Sequence, residues 1–174
     1  MNISRTTVLA CLVILGATLS FQHTLCLAQQ PAKKPKAAKK TKADPFAWKK
    51  MFDGKTLKGW KVPNFGGQGE VYVEKGAIVM EMGDAMTGIA WEGELPKTNY
   101  EVRLDGMRTM GGDFFCTTTF PIGDKPCSFV VGGWAGTVTG LSCVDWYDAS
   151  DNITTEFIAF EDNRWYAVRI RVTD

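Results

Sequence analysis

The chain of 174 residues predicts an all-β domain, either an antiparallel two-sheet β-sandwich or a barrel. Three features of the 131 residues from Asp44 onward indicate this. Short apolar stretches recur at intervals of roughly eight to twelve residues, which is typical of sandwiches and barrels. Glycine, proline, aspartate or asparagine separates these stretches, and almost none of them has the 3.6-residue apolar period of a helix.

Residues 1–28 have the pattern of a secretory signal peptide. A mainly apolar run of twelve residues extends from Val8 to Leu19, and Cys26 and Ala28 form a small-x-small cleavage site. The run is too short to span a bilayer as a helix, and no other long apolar run follows. We therefore expect no transmembrane segment, and export to the periplasm or the cell exterior. Acylation of Cys26 as a lipoprotein is the weaker alternative.

Residues 29–43 predict a disordered linker rich in lysine, alanine and proline. The stretch from Pro31 to Lys42 contains six lysines and no aromatic residue, so it cannot bury enough apolar surface to order itself. A solvated spacer is the simplest interpretation. Contact with the cell wall or with another anionic polymer is the alternative.

The charge of the remaining domain, residues 44–174, differs from that of the whole chain. The domain has 13 basic and 19 acidic residues, a formal net charge of −6, whereas the chain has a net charge of +1. A mildly acidic domain argues against nucleic acid as a partner, because phosphate binding requires a clustered basic face.

The only histidine, His23, lies in the predicted signal peptide, so the domain contains none. This excludes Ser-His-Asp and Cys-His arrangements, histidine-ligated zinc and a histidine general base. Any chemistry must use carboxylates, tyrosine, lysine, arginine or cysteine.

The domain has three cysteines, Cys116, Cys127 and Cys143. A hairpin turning at Ala135-Gly136 would bring Cys127 and Cys143 within about one residue of facing each other, and an exported protein can oxidise such a pair. Buried free thiols are the preferred interpretation, and the Cys127–Cys143 disulfide is the alternative, because a one-residue slip points the two side chains to opposite faces.

A turn at Asp53-Gly54 opens the domain, and Gly59 lets the adjacent Trp60 enter the core. The strands follow in chain order. Strict alternation puts Tyr100, Val102 and Leu104 on one face of a half-buried strand. Trp165 is likewise assigned to the core. The predicted strands are Glu70–Glu74, Ala77–Glu81, Gly88–Trp91, Tyr100–Asp105, Asp113–Phe120, Cys127–Val131, Thr137–Val144, Thr154–Phe160 and Trp165–Val172.

Several of these motifs resemble the 3-keto-disaccharide hydrolase family. They are Phe-Asp-Gly-Lys-Thr-Leu-Lys-Gly-Trp at 52–60, the hairpin at 71–80, Thr-Asn-Tyr-Glu-Val-Arg-Leu at 98–104 and Asn-Arg-Trp-Tyr-Ala-Val-Arg-Ile-Arg at 163–171. The segments at 66–70, 113–115 and 127–134 resemble a secreted subgroup of planctomycete-like bacteria. The resemblance runs from about Ala47 to the last residue.

The resemblance implies a concanavalin A-like jelly roll with a sugar-facing groove. Family members usually continue beyond the Arg-Ile-Arg-Val strand, so we expect that C-terminal strands are missing and that the domain is truncated at Asp174. The implied activity is cleavage of 3-keto-glycosides by elimination and hydration. This reaction needs a base, a group that stabilises the enolate oxygen, and an acid for the leaving group.

Because histidine is absent, carboxylates and an arginine are the candidates for these roles. Asp113 precedes two phenylalanines and is as readily a turn residue as a base. Asp145 and Asp148 flank Trp146-Tyr147, where a hydrogen-bonded turn is the main alternative to a cation site. Glu156 lies in a predicted strand, and Arg103 either polarises an enolate or balances its acidic neighbours. A divalent cation held without histidine ligands is one option for a cofactor.

Trp91, Trp134 and Trp146 are the candidates for a platform that stacks on sugar rings, with a place in the core as the alternative for each. The leading interpretation is an exported domain that cleaves 3-keto-glycosides. The alternatives are a non-catalytic carbohydrate-binding module and an extracellular adhesion or scaffold domain.

Overall fold

The computed structural model describes residues 47–174. The predicted signal peptide and linker, residues 1–28 and 29–43, lie outside the described residues. The described part contains ten strands: β1 Trp60–Lys61, β2 Val71–Glu74, β3 Ala77–Met80, β4 Ala90–Trp91, β5 Tyr100–Gly106, β6 Thr118–Ile122, β7 Lys125–Gly132, β8 Val138–Ser142, β9 Glu156–Phe157 and β10 Tyr166–Val172. Every strand pairing is antiparallel, so the all-β prediction is confirmed.

The strands form an antiparallel β-sandwich. The main sheet has the order β6-β7-β8-β9, and the pairs β5-β10, β2-β3 and β1-β4 form separate two-stranded sheets. The core lies where the inner face of the main sheet meets the β5-β10 pair. Its buried side chains are Phe120, Val131, Val168, Ile170 and Val172. No helix of residues 47–174 has both the length and the apolar character needed to cross a membrane.

The two-residue period of β5 and β10 explains why this pair covers the core. Tyr100, Val102 and Leu104 pack against the buried cluster, as their alternation predicts. In β10 the even-numbered residues from Val168 to Val172 face inward. Trp165 is 56% exposed, so its assignment to the core is wrong. The odd-numbered residues of β10 point outward, and Trp165, directly before this strand, has the same phase.

The register of β6, β7 and β8 divides their side chains between two faces. Phe129 lies opposite Leu141, and both pack against the core. The neighbouring positions therefore point outward. Thr119 pairs with Ser128, and Ser128 pairs with Ser142, so three small hydroxyl side chains share the outer face of the main sheet.

The hairpin between β7 and β8 turns through a single short helical turn, α1 Gly133–Gly136. Trp134 and Ala135 both have positive φ, 47° and 66°, inside this turn. The chain thus reverses at Ala135-Gly136, as predicted, and the register that follows puts Phe129 and Leu141 on one face and Val130 on the other.

The opening turn at Asp53 is held by its own side chain. Asp53 accepts hydrogen bonds from the backbone N–H groups of Lys55 and Thr56 and from the Thr56 hydroxyl, each at 2.7 Å. Trp60 then packs edge-on against Trp91 with ring centroids 5.2 Å apart, and its indole N–H donates to the carbonyl of Met51. The turn therefore closes one end of the domain around a tryptophan pair.

Four predicted strands are shorter or shifted. The strand predicted over Gly88–Trp91 contains only Ala90 and Trp91. The strand predicted from Asp113 begins at Thr118, because residues before it form a loop in which Cys116 has φ 38°. The strand predicted from Thr137 ends at Ser142. The strand predicted over Thr154–Phe160 contains only Glu156 and Phe157, because local side-chain hydrogen bonds hold the preceding residues in turns.

The Asp53 turn predicts a pH-dependent stability. Hydrogen bonds from the Thr56 hydroxyl, from Thr56 N–H and from Lys55 N–H lower the pKa of Asp53 to about 2, below its ordinary value of 3.8. A depressed carboxylate pKa stabilises the fold above the unfolded-state value and loses this effect as pH falls through the folded-state value. Asp53→Ala should therefore lower Tm most at pH values above the ordinary pKa of 3.8. The difference from the wild-type Tm should become small as the pH approaches 2.

Thermal melts across this pH range measure that gap. Asp105→Ala removes an exposed carboxylate of β5 and serves as the control. A Tm gap for Asp53→Ala that is equally large at neutral pH and near pH 2 would contradict the role of the turn.

Candidate functional site

A loop from residue 143 to 155 crosses the outer face of the main sheet. Ala149 is completely buried and packs with Val130 and Val138 on that face. The loop backbone passes directly over Gly140, where an added Cβ would lie 2.8 Å from the carbonyl oxygen of Thr154. Only glycine permits this close approach, so the sequence of β8 itself allows the loop to lie on the sheet.

Asn152 holds the loop in place. Its side-chain N–H groups donate to the carbonyls of Leu141 and Asp148 at 2.8 Å and of Tyr147 at 3.2 Å. Its side-chain oxygen accepts hydrogen bonds from the N–H and hydroxyl of Thr154. One side chain therefore ties the end of β8 to the two residues of the loop that precede Ala149.

The loop begins with a tight hairpin. Val144 and Tyr147 exchange backbone hydrogen bonds of 3.0 and 2.9 Å. Between them Asp145 and Trp146 both have positive φ, 50° and 74°. This conformation is unfavourable for a bulky side chain, and it projects Trp146 away from the domain with 98% of its surface exposed.

Asp148 turns back towards the sheet. Its Oδ1 lies 3.4 Å from the Ser142 hydroxyl and 3.6 Å from the Cys143 thiol, and both groups donate to it. The carboxylate thus lies beside the last residue of β8, at the end of the outward-facing hydroxyls. Its backbone is fixed independently of its side chain, through the carbonyl that Asn152 holds.

Asp145 lies on the other side of the same loop. It lines an open depression of about 750 Å³ together with Tyr147, Asp151 and residues near β9. The rest of the lining is Val144, Ser150, Asn152, Ile153, Thr155 and Phe157. Apolar side chains, hydroxyls and two carboxylates meet there, which is the mixture of groups found in ligand sites.

Asp113 lies at the opposite end of β8, near the α1 turn. Its carboxylate is exposed and accepts the N–H of Phe114 at 2.7 Å, while its carbonyl accepts from Arg108 at 3.4 Å. Arg108 is mostly buried, bonds Asp162 at 2.6 Å and donates to the carbonyl of Phe160 at 3.0 Å. Sequence reasoning missed Arg108, because its partners lie about fifty residues further along the chain and only the fold brings them together.

Arg103 and Glu156 lie apart from the loop at 143–155 and from the surroundings of Asp113. Arg103 is exposed on β5, where it pairs with Glu101 at 2.5 Å and covers the ring of Trp48. Arg169 also binds Glu101, and this hydrogen bond together with the Arg103 contacts lowers the pKa of Glu101. Glu156 is exposed on the short edge strand β9 opposite Thr139.

The three candidate tryptophans occupy three different places. The ring of Trp91 lies between Gly59 and Gly93 and contacts Trp60. Trp134 is half-exposed in the α1 turn, and Trp146 is fully exposed beyond the other end of β8. The structure therefore brings no two of the three into a common platform.

The three cysteines of residues 47–174 are free thiols. Burial raises the pKa of Cys116 to about 11. The pKa of Cys127 is also raised, by burial and then by the nearby Cys143, which the register places on the neighbouring strand end. Cys143 is exposed, so the expectation that it is buried is wrong.

Among residues 47–174, no three side chains of histidine, cysteine, aspartate or glutamate come together in a group that could hold a metal ion. The acids at 145, 148 and 151 share one loop, but Asp148 faces the sheet and the other two line the depression.

Comparison with protein families identifies the family of the domain. The family model described as 3-keto-alpha-glucoside-1,2-lyase-like domain matches residues 47–174, nearly three quarters of the chain. The chain belongs to this 3-keto-alpha-glucoside-1,2-lyase-like family. The family resemblance predicted from the sequence motifs is therefore confirmed over the same residues. No curated protein and no solved structure matches the chain.

For a member of the 3-keto-alpha-glucoside-1,2-lyase-like family, the geometry separates the candidate residues into two groups. Asp145, Trp146 and Asp148 share the loop over the main sheet, and Asp113 and Trp134 lie at the α1 end. Only the first group combines a carboxylate with adjacent hydroxyl and thiol donors.

The Asn152 contacts predict that this residue stabilises the loop. Asn152→Ala removes the donors to three carbonyls and should lower the free energy of unfolding by about 1–3 kcal/mol. Asn152→Asp keeps an acceptor for Thr154 but also loses these donors, so it should destabilise at least as much. Denaturant unfolding monitored by tryptophan fluorescence measures both effects. Wild-type stability in Asn152→Asp would show that the three carbonyl contacts contribute nothing.

Proposed function

We propose that this domain cleaves 3-keto-glycosides by elimination followed by hydration. Membership of the 3-keto-alpha-glucoside-1,2-lyase-like family is the observation that carries the proposal. The local geometry beside Asp148 supports it, because a carboxylate, a hydroxyl and a thiol meet on an accessible face of the sheet.

The chemistry follows from the ketone at carbon 3 of the sugar. The ketone acidifies the hydrogen on carbon 2, so a base removes this proton and the electron pair forms an enolate with negative charge on the carbon-3 oxygen. The enolate then expels the group on carbon 1, whose oxygen takes up a proton. Water adds across the resulting double bond, with its hydroxyl on carbon 1 and its proton on carbon 2, to give the free 3-keto sugar.

In this proposal Asp148 is the base. The hydroxyl of Ser142, which donates to Asp148 in the free protein, turns to donate to the developing charge on the enolate oxygen. A carboxylate suffices as base because the ketone has already acidified the proton, and a general base contributes typically 10²- to 10⁴-fold. A donor aimed at the enolate oxygen stabilises the charge that forms in the transition state.

Asp113 is the competing base. Its carboxylate already accepts the neighbouring N–H, and Arg108, the cation beside it, is engaged with Asp162 and two carbonyl groups. Asp148 also accepts hydrogen bonds, from Ser142 and Cys143, but these donors are side chains next to open surface that can turn to a substrate, whereas the donor to Asp113 is a fixed backbone N–H. Asp148 is therefore preferred.

The test is turnover of a 3-keto-α-glucoside by the purified protein, with and without Mg²⁺ or Ca²⁺, followed by detection of free 3-ketoglucose or the unsaturated intermediate. Asp148→Asn keeps the shape of the side chain and should lower kcat/KM by about 100-fold or more. Asp151→Asn removes a carboxylate from the same loop and should retain activity.

The outcomes are distinct. Loss of activity in Asp113→Asn together with full activity in Asp148→Asn would move the site to the α1 end. If the wild-type protein shows no turnover under any metal condition but binds unmodified polysaccharide, the domain is a carbohydrate-binding module instead.

We also propose that the protein is exported, on the basis of the signal-peptide pattern of residues 1–28. Expression of the full chain in a bacterial host should yield a protein outside the cytoplasm that begins at Gln29. N-terminal sequencing of the exported fraction measures the cleavage site. Retention of the whole chain in the cytoplasm, or a lipid-modified Cys26, would overturn this assignment.

A further inference from the structure

The outer face of the main sheet carries a row of three hydroxyls, defined as Thr119 of β6, Ser128 of β7 and Ser142 of β8. They lie directly opposite one another across three adjacent strands. The hydroxyls of Thr119 and Ser128 lie 2.8 Å apart and share a hydrogen bond. Since adjacent strands are about 4.8 Å apart, the row is about 10 Å long.

The row lies beside the covered part of this face, with Thr119 exposed and Ser128 and Ser142 half-buried. The loop from 143 to 155 covers the neighbouring positions, where Ala149 packs on Val130 and Val138 and the backbone crosses Gly140. The covering loop thus forms a wall along the row. The side chain of Asp148 extends from this wall to the Ser142 hydroxyl.

The other end of the row also opens onto a concave surface. Thr119 lines an open depression of about 490 Å³ together with Pro121, Pro126 and the segment around Leu95 and Lys97. Pro121 and Pro126 pair with each other one step further along β6 and β7, on the same outer face as the row. A shallow path therefore leads from the Asp148 carboxylate across three hydroxyls to this depression.

The chemistry of the row matches that of a sugar edge. Serine and threonine hydroxyls donate one hydrogen bond and accept two, as sugar hydroxyls do, and a carboxylate accepts from two neighbouring hydroxyls. Small side chains also leave room for a ring to approach the backbone. A charged or aromatic residue at any of these three positions would remove that space.

We propose that Thr119, Ser128 and Ser142 form a subsite that binds the hydroxyl groups of a glycoside and aligns it with Asp148. This inference rests on the proposed function for the identity of the ligand. It assigns specificity to two residues, Thr119 and Ser128, that have no hydrogen bond to the proposed base, so binding and chemistry are separable.

Thr119→Val and Ser128→Ala test the subsite, with a 3-keto-α-glucoside as the probe. Each variant removes one neutral hydrogen bond, so each should raise KM about three- to tenfold with little change in kcat. Thr119→Ser and Ser128→Thr keep the hydroxyls and should restore the wild-type KM. Thr137→Ala removes an exposed threonine at the other end of β8 and should leave both constants unchanged.

Calorimetry measures binding of the probe to Asp148→Asn alone and combined with Thr119→Val or Ser128→Ala. It distinguishes a failure of the subsite from a failure of the proposed function. If the wild-type protein turns the probe over and neither Thr119→Val nor Ser128→Ala changes KM, the subsite is wrong and the function stands. If no protein turns the probe over but both variants weaken its binding relative to Thr119→Ser and Ser128→Thr, the subsite stands and the enzyme assignment fails. Thermal melts verify folding, and a variant that does not fold is replaced by Thr119→Ala or Ser128→Gly.

Discussion

The pairing register of β7 with β8 is the constraint on which the rest of the domain depends. It sets Phe129 opposite Leu141 and Ser128 opposite Ser142. A slip of one residue would reverse the faces, since side chains alternate with a period of two. The aromatic and aliphatic side chains would then leave the core, and the hydroxyls would be buried without partners, at a cost of a few kcal/mol for each group. The α1 turn, with its positive φ angles at Trp134 and Ala135, holds this register at the other end of both strands.

The loop at 143–155 must also be held on the outer face of the main sheet, and polar contacts hold it there. Its only completely buried side chain is a single alanine, Ala149, so apolar burial contributes little to its position. Asn152 donates to the carbonyls of Leu141, Tyr147 and Asp148 and so ties the loop to the end of β8. This arrangement leaves the acidic side chains of the loop free to face solvent or ligand. It also explains why β9 is short: Thr154 and Thr155 hydrogen-bond to Asn152 and do not extend the ladder.

Much of the fold could be predicted from the sequence, because strand alternation is a local signal. The inward phase of Tyr100, Val102 and Leu104 is visible in seven consecutive residues. The residues just before β6 are also rich in aromatic and β-branched side chains, which predicts a strand. Cys116 has a positive φ there, however, and the composition of the segment does not reveal this conformation. The candidate site is different, since a hydroxyl row across β6, β7 and β8 exists only once the register is known. Arg108 is hidden for the same reason, because Asp162 and Phe160 reach it through the packing of distant segments.

The absence of histidine from the domain becomes less restrictive once the reaction and the geometry are considered together. Direct hydrolysis of a glycoside requires two carboxylates at a defined separation across the sugar ring. Elimination next to a ketone asks less of the protein, because the substrate itself supplies the acidity of the proton. It needs a base, a donor for the enolate oxygen and an acid for the leaving group. Asp148 and Ser142 provide the base and the donor on adjacent elements, with positions set by the Asn152 contacts and the β7–β8 register. A domain without histidine is therefore compatible with this chemistry, provided that binding along the sheet orients the sugar.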